Sequence, residues 1–130
     1  MNRKTIFHLS LPVSDMDRSR KFYEEILGAK VGRVKGRWLD VWLYDVQITL
    51  QDRRGEEINA HEKFHFGATL EWEGWEHMRD HLQSLGAEFD GEPAISEALG
   101  QAKLYLKDPD GYVVELKAYR DRTESLAPPD

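Results

Sequence analysis

The chain contains no cysteine. Disulfides, thiolate metal sites and a cysteine nucleophile are therefore excluded. Long apolar runs are also missing, and none approaches the ~20 residues of a membrane-spanning helix. Basic charge is in deficit, with 18 Lys+Arg against 24 Asp+Glu and a net charge of -6. No basic cluster offsets that balance, which argues against nucleic acid as a partner. Met1 to Thr5 is polar and leads straight into a strand pattern, so no signal peptide is expected. What remains is a cytoplasmic domain of 130 residues, 40% of them hydrophobic. Such a chain buries roughly two-thirds of its unfolded surface without staples.

What is present is a plan stated twice. Leu27-Gly28-Ala29-Lys30-Val31 recurs 58 residues later as Leu85-Gly86-Ala87-Glu88-Phe89. A helical pattern precedes each copy, and a strand pattern with one histidine, His8 or His65, precedes each helix. Module one is placed at 1–55 and module two at 62–120, joined by the charged stretch Arg53 to Lys63 and followed by a polar tail, 121–130. In module one, Phe7, Leu9, Leu11 and Val13 alternate with His8, Ser10 and Pro12. Ser14 and Asp15 are cap candidates for a helix striped by Phe22, Ile26 and Leu27, with Tyr23 at its edge. Strands are expected near 30–35, 37–45 and 46–52. In module two a strand at 64–72 precedes a helix striped by Trp75, Met78, Leu82 and Leu85. Strands follow near 87–90, 101–107 and 112–119, the last two joined by the turn Asp108-Pro109-Asp110-Gly111. The expected fold is α+β: two βαβββ modules form a cupped mixed sheet with helices on the outer face, in a single domain.

Side chains alternate across a sheet, so parity assigns faces. The apolar set packs on the helices and the other set lines the cup. On that rule the cup receives His8, Ser10, Gln47, Thr49, Gln51, His65, Lys103, Tyr105, Glu115 and Lys117. Trp38, Trp42 and Tyr44 offer aromatic walls. Two imidazoles and one carboxylate, His8, His65 and Glu115, make a three-point set that leaves positions open on a divalent metal. A metal so held attracts a bidentate oxygen ligand such as a diol, an enediolate or a hydroxy acid. Gln51, Lys103 and Tyr105 are the expected orienting groups for a substrate, with Trp38 and Trp42 as its walls.

These residues resemble the vicinal oxygen chelate superfamily, which includes glyoxalases, extradiol dioxygenases and bleomycin-resistance proteins. The matching segments are Phe7 to Asp15, Phe22 to Gly28, Phe64 to Gly67 and Asp108 to Leu116. The resemblance implies a divalent metal ion (Fe2+, Mn2+, Ni2+ or Zn2+) on His8, His65 and Glu115. It implies an enzyme of dioxygenase or lyase/isomerase type acting on a small vicinal-oxygen substrate, and a homodimer. In that dimer His8 comes from one subunit and His65 with Glu115 from the other. Three departures narrow the activity; one is that no spare cup-facing histidine is evident where extradiol dioxygenases usually have a base histidine, although Tyr105 could be their tyrosine. Thr49 stands where glyoxalase I carries a fourth ligand, and Glu92 to Ala98 has two acids and no lysine where fosfomycin-resistance enzymes have a basic loop. The other function considered is a bleomycin-resistance-like binding protein, holding an aromatic or cationic molecule between tryptophans without metal chemistry. His77 and His81, four apart on the second helix, lie off its apolar stripe and are expected in solvent.

Overall fold

The computed structural model describes residues 5–129. Met1 to Lys4 and Asp130, parts of the predicted N-terminal segment and tail, lie outside the described residues. The chain divides into two compact units. One comprises the residues up to His61 together with Asp108–Gly111; the other comprises Glu62–Lys107 and Tyr112 onward.

The first unit contains β1 (His8–Val13), α1 (Met16–Lys21) with a π-helical turn (Phe22–Ile26), β2 (Lys30–Lys35), β3 (Trp38–Leu43) and β4 (Val46–Asp52). Its strands lie in the order β1-β4-β3-β2. β1 runs parallel to β4, and the other pairs are antiparallel. The second unit repeats this with β5 (His65–Leu70), α2 (Trp72–Ser84), β6 (Ala94–Ser96), β7 (Gln101–Lys107) and β8 (Val113–Tyr119), ending in the short α3 (Arg122–Ser125). The order β5-β8-β7-β6 is the counterpart of the first sheet. The doubled sequence thus folds as doubled topology, one four-stranded sheet per unit. No described helix is long and apolar enough to cross a membrane.

Alternation builds both cores. In β7, Ala102, Leu104 and Leu106 are buried while Lys103 and Lys107 are exposed. Each fully buried Leu contributes about 1.5–3 kcal/mol relative to exposure. In the first unit Leu11, Val13, Ile48 and Leu50 bury the helix-facing side of the sheet. α2 docks through Trp75, which is fully buried and donates from Nε1 to the Leu116 carbonyl of β8 at 2.9 Å.

Local signals account for the ends. The Asp15 carboxylate caps α1 by accepting from the Arg18 amide at 3.2 Å. Gly111, with φ of 91°, closes the β7–β8 hairpin by donating to the Asp108 carbonyl at 3.0 Å. The four residues of that turn count with the first unit, where Asp108 is buried and accepts from the Tyr23 hydroxyl at 2.8 Å.

Four expectations are corrected. Tyr23 is a core residue rather than the edge of its helix, because the wider π turn rotates it inward to meet Asp108. Phe7 does not pack on the helices: strand pairing begins at His8, and Phe7 is 68% exposed ahead of it. Tyr44 lies outside β3, in the two-residue β3–β4 turn with φ of 54°, so strand parity does not assign its face. Residues 87–90 contribute only a bridge from Phe89 to Leu106. The strand forms at Ala94–Ser96, where the chain returns antiparallel beside Gln101–Lys103.

Candidate metal half-site on the second sheet

Register places the chemistry. His65 opposes Val113, and two residues on Gly67 opposes Glu115. Tyr105 opposes Glu115 from the other side. His65, Glu115 and Tyr105 therefore share one face of the second sheet on three adjacent strands. The His65 Nε2 lies 3.6 Å from the Glu115 Oε1. The His65 Nδ1 lies 3.1 Å from the Lys63 carbonyl. A carbonyl only accepts, so Nδ1 donates to it, and in the neutral ring Nε2 keeps its lone pair. Two lone pairs, one of nitrogen and one of oxygen, then face each other at a distance too long for a hydrogen bond. Ligand atoms sharing one ion at about 2.1 Å stand about 3.0–3.4 Å apart, close to what is found here. This donor pair fits a divalent metal, and the backbone bond at Nδ1 is the usual outer partner of a metal-binding imidazole.

Glu115 is buried apart from this opening. Its second neighbour, Tyr105, hydrogen-bonds to it. That bond, then partial burial, then the carboxylate's charge push the phenol up to about 12. The Tyr105 ring also meets the His65 ring edge-on at 6.3 Å. Gly67 makes the close approach possible: a Cβ there would collide with the Glu115 carbonyl oxygen. The cavity beside the pair measures about 250 Å³ and is lined by His65, Gly67, Thr69, Glu115 and Lys117. A second cavity of about 300 Å³, on the Tyr105 side, adds Glu62, Lys63 and Asp90.

The first unit presents the matching rows. His8 is exposed at the start of β1 and opposes Gln47; Ser10 opposes Thr49. Thr49 thus holds in the first sheet the place that Glu115 holds in the second. Its hydroxyl donates to the Asp40 Oδ1 at 2.7 Å. Asp40 is 3% exposed, with the Arg33 Nε 3.5 Å from its other oxygen. Sequence reasoning passed over this carboxylate; the signal was an acid alternating with Trp38 and Trp42 in a strand. Gln51 donates to the Ser10 hydroxyl at 2.6 Å and shares a cavity of about 220 Å³ with the half-exposed Trp38. Trp42 lies over Gly32, with its Nε1 2.9 Å from where a Cβ would stand. Among the described residues, no three His, Asp or Glu side chains of one chain converge closely enough to hold an ion.

The family model for the Glyoxalase/Bleomycin resistance protein/Dioxygenase superfamily matches residues 5–116. The chain belongs to this superfamily. Among solved structures it is similar to a glyoxalase/bleomycin resistance protein/dioxygenase from Alicyclobacillus acidocaldarius, at 25% identity and a TM-score of 0.76, over 92% of this chain and 95% of that one. It is similar to an integron cassette protein from the mobile metagenome of Halifax Harbour sewage outfall, at 28% identity and a TM-score of 0.70, over 89% of this chain and 99% of that one. The fold also matches a variant of the fosfomycin resistance protein FosX from Listeria monocytogenes, complexed with Mn(II) and 1S,2S-dihydroxypropylphosphonic acid, at 17% identity and a TM-score of 0.71, over 93% and 94% of the two chains.

Proposed function

We propose that this superfamily member is a divalent-metal enzyme of the cytoplasm, acting on a small vicinal-oxygen substrate by dioxygenase or lyase/isomerase chemistry. The ligands are His65 and Glu115 of one chain and His8 of a second copy, so the working unit is a homodimer. The observation that carries this is the facing pair of His65 Nε2 and Glu115 Oε1, 3.6 Å apart beside a cavity of about 250 Å³. Two ligands leave an ion undercoordinated, and an exposed His8 is available for an intermolecular third. Bound there, the metal supplies Lewis acidity to two adjacent substrate oxygens.

The chain's own residues do the rest. Glu115 contributes the negative charge that holds the centre at +1 overall. Lys63 fixes the tautomer of His65 through its carbonyl. Tyr105, a neutral phenol throughout the physiological range, orients substrate oxygens by hydrogen bonding. Gln51, Trp38 and Trp42, all of the first unit, would be further substrate contacts brought by the same copy that brings His8. Metal analysis of protein purified without chelator tests the reading. Near-stoichiometric metal is expected, falling sharply in His8→Ala and Glu115→Gln. Equal and negligible metal in all three proteins sinks it. Screening Fe2+, Mn2+, Ni2+ and Zn2+ for oxygen uptake with a catechol panel then separates dioxygenase from lyase/isomerase chemistry.

A second reading, sequestration of an aromatic or cationic molecule without metal chemistry, is favoured by one observation. Trp38 is 52% exposed at the edge of a cavity, an arrangement suited to stacking.

A further inference from the structure

We propose that Lys103 and Lys117 form an oxyanion-binding doublet that captures a second group of the substrate, a carboxylate or a phosphate, beside its vicinal oxygens. The position of the vicinal oxygens rests on the metal site proposed above; the doublet rests on the second unit alone. Lys103 of β7 and Lys117 of β8 are direct cross-strand partners. Directly opposed side chains have Cβ atoms about 4.5–5.5 Å apart, and like charges so placed repel. Both lysines lie two residues from the Tyr105 and Glu115 pair and share its face.

Neither ammonium is paired with an acid among the described residues. The Lys117 Nζ lies 5.5 Å from the Tyr119 ring centroid, and the ion pairs of this unit form elsewhere. The protein carries six more acids than bases, so carboxylates are not scarce. Two cross-strand lysines without an acid partner, in an acidic protein, are the complement of an anion that arrives with the ligand. The place is right for a substrate group. Lys117 lines the same cavity of about 250 Å³ as His65 and Glu115, and Thr69, its cross-strand neighbour on β5, adds a hydroxyl. A molecule chelated at the proposed metal would therefore extend along the strands toward the doublet. The substrate class narrows to small hydroxy acids or diols carrying an additional anionic group.

Two measurements test this. The first uses the metal-free protein and inorganic phosphate, followed by amide NMR. Saturable shifts are expected around Lys103, Lys117 and Thr69, and their loss in the Lys103→Gln/Lys117→Gln double variant. No saturable shift there, or shifts that persist in the double variant, overturn the doublet whether or not a metal binds. The second uses Mn2+-loaded protein and calorimetry with lactate, malate and phosphoglycerate. At least one of malate and phosphoglycerate is expected to bind about tenfold or more tightly than lactate, with that gain lost in the double variant. Malate and phosphoglycerate separate a carboxylate from a phosphate as the second group. Equal affinity for all three, or a preference that survives in the double variant, overturns the proposal. Mn2+ binding without phosphate capture removes the doublet alone; phosphate capture without Mn2+ binding removes the metal centre alone. Lys103→Glu controls for folding: it pairs with Lys117, so thermal stability is expected to rise while phosphate binding disappears.

Discussion

Single atoms decide the geometry of the half-site. At Gly67 the missing Cβ is the condition for β5 to lie against Glu115. Gly67→Ala forces that strand away from a backbone carbonyl, which cannot yield as a flexible side chain does. A loss of about 3 kcal/mol or more is expected, read as a fall in thermal midpoint, together with loss of metal. An unchanged midpoint refutes the close approach. Tyr105 provides a second prediction. Its pKa of about 12 lies above the ordinary 10, so folding favours the protonated phenol. The associated stabilisation is present in full below pH 10 and is lost as pH rises through 12. An ultraviolet phenolate titration of the metal-free protein is expected to show one tyrosine ionising near 12, absent in Tyr105→Phe and moved down in Glu115→Gln. Retention of the high value in Glu115→Gln shows that the carboxylate is not its cause.

At the scale of elements, periodicity carried most of the information. The ends of β2 and β4, the Asp15 cap and the Asp108–Gly111 hairpin were legible because alternation, capping and turn residues act locally. β6 was not: Ala94–Ser96 is a strand through pairing with β7, in a stretch with little alternation of its own. Tyr23 was misread because a π turn breaks the 3.6-residue period on which the stripe was drawn. Tyr44 was misread because an aromatic residue in a β-rich run gives no sign of a left-handed backbone. Replacing it tests that point. Tyr44→Gly is expected to gain about 0.5–1 kcal/mol by removing the penalty for positive φ, seen as a higher denaturant midpoint. A lower midpoint means that the tyrosine ring contributes more than the backbone costs. Trp75 joins α2 to β8 by both volume and hydrogen bond. Trp75→Phe leaves a void and an unpaired carbonyl, with an expected loss of about 2–4 kcal/mol in chemical denaturation.

At the scale of the whole molecule, the proposed metal centre needs a third ligand. If His8 belongs to one copy and His65 with Glu115 to another, each single variant is metal-free, yet a mixture recovers part of the function. Unfolding and refolding His8→Ala with Glu115→Gln in equal amounts is expected to restore about one quarter of the sites, because half of the dimers are mixed and each has one intact set. No recovery overturns the site shared between two copies. The doubled plan and the α+β class could be read from sequence alone. Hydrophobic alternation, turn chemistry and residue type are properties of neighbours along the chain. Tertiary structure alone decided that Glu115 lies beside His65 through a glycine contact, that Thr49 is tied to the buried Asp40, and that two lysines are cross-strand partners without an acid. Each of these depends on which strands pair and in what register, and pairing is set by the packing of residues far apart in the chain.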